Sequence, residues 1–306
     1  MGDQSDLDQI AEDLRRKVQL ALARHGPQHP DVARALSNLG NAEKSLGRLD
    51  DAKSLHWQAV QIYRTAGGER DPRVAAALTN LGIVQKELGE LDNARASQEL
   101  AAAIFLERLG PANVRLATVY GNLGAVLKDL GRLEEARERL QQAVSIAEAA
   151  QGPRAPGLVP LVINLGNVLL ALGLLEEAGA SLERALTMLA ELPQGGGPAQ
   201  LQVAAVLNNL GSVAIGSGDY SRAKTLLGRA LSTYEQCLAP DHRRISDVLT
   251  NLGVALKNLG DSDEAEAVWQ RALQMSRRAY GDDHPRTGLI LHHLQELKRD
   301  PSQGHS

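Results

Sequence analysis

The triplet Asn-Leu-Gly occurs six times in 306 residues, at Asn38, Asn80, Asn122, Asn164, Asn209 and Asn251, with spacings of 42, 42, 42, 45 and 42 residues. Three further marks keep the same register. A glycine follows seven residues after the first (Gly47, Gly89, Gly131, Gly173, Gly218, Gly260). An alanine comes five residues later (Ala52, Ala94, Ala136, Ala178, Ala223, Ala265), and another after seven more (Ala59, Ala101, Ala143, Ala185, Ala230, Ala272). A constant period of this size marks a repeat array. One supersecondary unit cannot bury its apolar face alone, so it stacks on its copies.

Local signals divide each unit into two helices. The first opens at a polar cap followed by proline, as in His29-Pro30, Asp71-Pro72 and His284-Pro285, where proline sacrifices no helical hydrogen bond. It closes at a Leu-Gly pair such as Leu46-Gly47, the glycine serving a left-handed cap. Acidic pairs such as Asp50-Asp51 and Glu134-Glu135 then open the second helix, against the positive end of its dipole. The glycine inside the first helix costs roughly 1 kcal/mol relative to alanine. The expected compensation is close approach of neighbouring helix backbones.

Composition agrees. Aromatic residues are only 3% of the chain and there is one Phe, so the core must be filled by Leu and Ala, as in helices stacked on helices. The register assigns 5–26 to an N-terminal half repeat. Full repeats follow at 29–70, 71–112, 113–154, 155–199, 200–241 and 242–283, then a capping helix at 284–299 and a disordered tail at 300–306. The stretch 191–202, ELPQGGGPAQLQ, carries three extra residues and a glycine run, and is the expected hinge.

These marks resemble the tetratricopeptide repeat (TPR). The unit is 42 residues rather than the usual 34, which is similar to the repeats of kinesin light chains and nephrocystin-3. The resemblance implies an all-α fold, a right-handed superhelical solenoid of antiparallel helix pairs with about 14 helices. The family's first-helix aromatic is mostly missing, with Tyr120 nearest. Its second-helix aromatic position carries His56, Gln98, Leu140, Leu182, Leu227 and Trp269, so looser packing is expected between the first units.

On a 3.6-residue wheel Leu39 falls with Leu36, Ala35, Ala42 and Leu46, the buried side, whereas Asn38 falls with Arg34, Asn41 and Ser45. In the family that second stripe lines the concave groove. The resemblance therefore implies a ladder of Asn38, Asn80, Asn122, Asn164, Asn209 and Asn251, with Arg34, Asn41, Asn167 and Asn258 beside it. Lys44, Lys86, Lys128 and Lys257, with Glu87 and Asp129, form an expected rim of mixed sign. An amide both donates and accepts, so the ladder suits the main chain of a partner peptide. The competing role is structural, bonding one repeat to the next. Of the family's carboxylate clamp only the asparagine is present, so a chaperone-tail ligand is not expected.

Catalytic and cofactor chemistry finds no foothold. The chain has no Gly-Lys pair for a phosphate loop, and neither HExxH nor GxSxG. His29, His242 and His284 share one linker position and read as helix starts rather than metal ligands. His292 and His293 are adjacent and point to different sides of a helix. Cys237 lacks a second cysteine to pair with, and Trp57 and Trp269 read as packing between helices. A net charge of −4 without a basic stripe argues against nucleic acid. Apolar runs are too short for a membrane span, the N-terminus has no secretory pattern, and Asp6 breaks a myristoylation motif. The expectation is a cytoplasmic, non-enzymatic scaffold or adaptor without cofactor or metal, binding a protein or peptide and capable of self-association. The alternative is a detached sensing arm of a larger effector system.

Overall fold

The computed structural model describes residues 2–191 and 197–299, with side chains from residue 6 onward. Over these residues the chain forms fourteen helices and no strand. They are α1 (Gly2–His25), α2 (Pro30–Ser45), α3 (Leu49–Gly67), α4 (Pro72–Glu87), α5 (Leu91–Leu109), α6 (Val114–Asp129) and α7 (Leu133–Gln151). After these come α8 (Leu158–Ala171), α9 (Leu175–Glu191), α10 (Gly197–Gly216), α11 (Tyr220–Cys237), α12 (Arg243–Leu259), α13 (Ser262–Tyr280) and α14 (Pro285–Arg299). Even-numbered helices are the first helices of the repeats, odd-numbered the second. The expected hinge has its centre, 192–196, outside the described residues, as does the tail expected to be disordered, 300–306.

The chain groups into two compact units, Met1–Asn164 and Leu165–Ser306, divided within α8. In the first, α2 packs on α3, α3 on α4, and α2 also touches α4; the same order continues through α5, α6 and α7. In the second, α10 to α14 repeat this arrangement and α9 packs on α10.

Helix ends follow the chemistry of the marks. His29 Nδ1 accepts the Asp31 N–H at 3.2 Å, Asp71 accepts from Arg73 at 2.7 Å, and His242 and His284 accept from Arg244 and Arg286 in the same way. Gly47 has φ of 76°, which lets its N–H reach Lys44 O and the Arg48 N–H reach Glu43 O, both at 2.9 Å. Most second helices also end at a glycine of positive φ (Gly68, Gly110, Gly152, Gly281), a signal the repeat marks do not include.

The glycine inside each first helix meets a side chain first, and only at Gly82 is a backbone atom, Ala94 O, also close, at 3.2 Å. A methyl group built on Gly124 would stand 2.5 Å from Leu140 Cγ, and one on Gly82 would stand 2.6 Å from Gln98 Nε2. Gly40 faces His56, Gly166 faces Leu182, Gly211 faces Leu227 and Gly253 faces Trp269. The glycine is a hole, and the residue sixteen positions later fills it. All six filling residues are fully buried, so the first repeats are not left open there, and so are all twelve marker alanines. Gln98 Nε2 donates to Thr79 O and Trp269 Nε1 to Thr250 O, both at 3.0 Å. Neither nitrogen of His56 has a partner.

Trp57 corrects the expectation of packing between helices. It is 50% exposed, because its neighbour His56 takes the inward position and one residue turns the helix by about 100°. Trp269 is buried as expected. At the N-terminal end, buried Glu43 receives Arg15 at 2.5 Å and Arg48 at 3.1 Å, which fastens α1 to α2.

Candidate functional site

In the first unit the asparagine stripe lies on the side of the first helices away from the leucine core. Arg34, Asn38 and Asn41 are exposed; Asn80, Asn122 and Asn164 are half-buried. A cavity of about 230 Å³ opens between α6, α7 and α8, walled by Val114, Thr118, Asn122, Ala147, Leu161 and Asn164. Asn122 Nδ2 is buried at this cavity without a hydrogen-bond partner. A buried donor left unpaired costs about 1–3 kcal/mol, so such a group is a site in want of an acceptor.

The second unit treats its amides differently. Asn209 donates to Asn167 Oδ1 at 2.6 Å. Asn251 donates to Asn208 Oδ1 at 3.1 Å and to Ser212 Oγ at 3.2 Å, and Asn208 donates to Asn209 at 3.2 Å. All but the Asn208–Asn209 bond join one repeat to the next. Asn258 donates to Val254 O within its own helix at 2.8 Å. His293, at the position where the period would put the next asparagine, stacks on Trp269 with ring centres 5.0 Å apart, and burial lowers its pKa. Sequence periodicity identifies the amide positions but not which amides pair, because pairing depends on side chains 39–43 residues away.

The mixed-sign rim is largely self-neutralising. Lys86 reaches Asp129 at 2.9 Å and Lys44 reaches Glu87 at 3.9 Å, each pair spanning one repeat. Lys128 contacts Asp129 at 3.4 Å. Lys257 bonds Glu296 at 3.3 Å and holds that carboxyl below its usual range. Exposed pairs of this kind contribute about 0–1 kcal/mol each, and three of them link first helices of successive repeats.

A second cavity, about 390 Å³, lies against α1 and α2. At its edge the ligand-capable atoms of His25, His29 and Asp31 come within 4.8 Å of one another. The His25 and His29 rings stack at 4.5 Å; Tyr280 and His284 stack at the same distance at the start of α14. Since a tyrosine serves equally well in that stack, it belongs to the helix-start geometry.

Stacked two-helix repeats with an amide-bearing face define a class, the helical-repeat proteins that act through their surfaces. The chain belongs to the tetratricopeptide repeat family. The family model matches residues 3–65, 32–107, 73–149, 115–191 and 158–236, and a second model of the same repeat matches 246–286. Similar solved structures include BtubC (BKLC) from P. vanneervenii, at 24% identity and TM-score 0.65, covering 75% of this chain and 91% of that one. A putative kinesin light chain from Podosopora anserina is 20% identical, with TM-score 0.55, covering 69% and 98%. PilF of Pseudomonas aeruginosa is 21% identical, with TM-score 0.58, covering 89% and 99%. Among curated proteins none matches the chain. Tetratricopeptide repeats constitute a protein–protein interaction scaffold, a fold that is generally non-enzymatic. No helix among the described residues is long and apolar enough to cross a membrane.

Proposed function

We propose that the chain is an adaptor that captures an extended or helical peptide of a partner along the asparagine stripe, chiefly in the first unit. One observation carries the reading: the amide of Asn122 is buried beside a cavity with its donor unused, whereas the amides of the second unit are spent on one another. A peptide carbonyl is the acceptor that the Asn122 donor lacks. The cavity walls, mostly apolar with the amides of Asn122, Gln151 and Asn164, suit a small apolar or amide side chain beside that carbonyl. Asn38, Asn80 and Asn164 repeat the same group along the face, and the paired rim charges set its borders.

The test is panning of a displayed random-peptide library against the purified chain and against the triple variant Asn80→Ala, Asn122→Ala, Asn164→Ala. Wild type is expected to enrich a family of peptides that the variant does not retain, with the two melting within a few degrees of each other. Equal enrichment by both, with a sharply lower melting temperature for the variant, would assign the stripe to structure alone.

A further inference from the structure

We infer that the cavity between α6, α7 and α8 is a socket for an aromatic side chain of the partner. The inference rests on the groove reading and names the residue that the partner presents beside Asn122. Elsewhere in the array the chain fills the corresponding place itself. Ahead of Asn80, Asn122 and Asn251, the residue seventeen positions earlier is aromatic (Tyr63, Phe105, Tyr234) and the one seven earlier is arginine (Arg73, Arg115, Arg244). Each ring is buried, and the guanidinium carbon lies over it, 5.5, 6.0 and 5.9 Å from the ring centre. Ahead of Asn164 the same two positions hold Ala147 and Gly157. Both line the cavity, which therefore stands where the other three junctions keep a ring and a cation.

The neighbours do not close the gap. Leu161 is larger than its counterparts Ala77, Val119 and Val248, but its methyl takes the space that a side chain on Gly121 would need. Gly121 in turn stands where Thr79 and Thr250 do in their repeats. What remains is about 230 Å³, more than the roughly 150 Å³ of an apolar cavity that accepts benzene. Val114, Ala117, Ala147, Pro160 and Leu161 supply apolar contact, and the unpaired Asn122 Nδ2 supplies a donor for a carbonyl adjoining the ring. Among the described residues no charged side chain lines the cavity, so a charged occupant would lose hydration without a counter-charge, whereas a neutral ring would not. The chain does not hold this ring in reserve: 192–196 and 300–306, outside the described residues, contain no Phe, Tyr or Trp.

Benzamide and isobutyramide test the socket on the intact chain, by amide chemical shifts in NMR titrations. The two probes share a carbonyl and an amide and differ in the ring. Benzamide is expected to bind with a dissociation constant of about 1 mM, at least about fivefold more tightly than isobutyramide, shifting Thr118, Asn122, Ala147 and Leu161. Ala147→Phe gives the chain its own ring and should abolish benzamide binding while melting at or above the wild-type temperature. Gly157→Arg lies on an exposed turn and should leave the fold intact. Its guanidinium over the probe ring should tighten benzamide about two- to fivefold and isobutyramide not at all.

Equal binding of the two amides, benzamide binding that survives Ala147→Phe, or no binding of either would overturn the proposal. If Ala147→Phe misfolds, Gly157→Arg decides, since the same effect on both probes would also overturn it. So would oligomers of the chain that both Trp57→Ala and benzamide dissolve, because exposed Trp57 of a second copy would then be the occupant. Library peptides that enrich without a shared aromatic residue would keep the groove reading and remove this one. Benzamide binding with no enriched peptide would remove the groove reading and keep the socket.

Discussion

At the residue scale the same amide has two energetic fates. Asn122 carries an unused donor, so Asn122→Ala removes a desolvated group and should leave stability unchanged or raise it by up to about 1 kcal/mol. Asn251→Ala removes two bonds to the preceding repeat and should lower stability by about 1 kcal/mol. Urea titrations of the two variants side by side give both signs. His56 offers a separate handle. Burial, with Lys44 adding to it, holds its pKa at about 4 against 6.5 in the open chain. The unfolded chain therefore takes up the proton first. Stability is intact above pH 6.5 and declines as pH falls toward 4, by on the order of 2 kcal/mol at pH 5. Leucine fills the equivalent hole in three other repeats, so His56→Leu should fold normally and remove this part of the acid sensitivity, as melting curves at pH 7.5 and 5 will show.

At the element scale each helix pair interlocks where a glycine admits a side chain. Gly124→Ala would force a methyl against Leu140, with an expected loss of about 1–3 kcal/mol, and Leu140→Ala in the same chain should recover part of it. Thermal melts of the single and double variants give the coupling. Much of this level was legible in the sequence. Proline after a polar cap, the Leu-Gly ending and the acidic openings act within one turn of chain, so local pattern suffices to place them. The reason for the internal glycine was not legible. The sequence pointed to backbones in close approach, whereas the neighbour is a side chain on the facing helix. Trp57 was misplaced for a similar reason, since its exposure depends on which of two adjacent large side chains occupies the inward position.

For the whole molecule, a constant period and low aromatic content were enough to name the architecture, because within each unit successive helices pack on one another in the same order. The site was less legible. Which amides pair is settled by residues one repeat away. Contacts confined to neighbours also predict how damage spreads. Glu43→Gln should weaken the fastening of α1 by about 2 kcal/mol. Hydrogen exchange should then rise in α1 and the adjoining end of α2, while α12 to α14 keep their protection. A uniform rise across the chain would refute that locality.

The glycine and the residue that fills it lie only sixteen positions apart, so lock and key are inherited together. Duplicating or deleting one 42-residue cassette moves a matched set, and no distant position must change in step. Such a gene can lengthen or shorten its product by whole modules and explore the chemistry of each insert one module at a time.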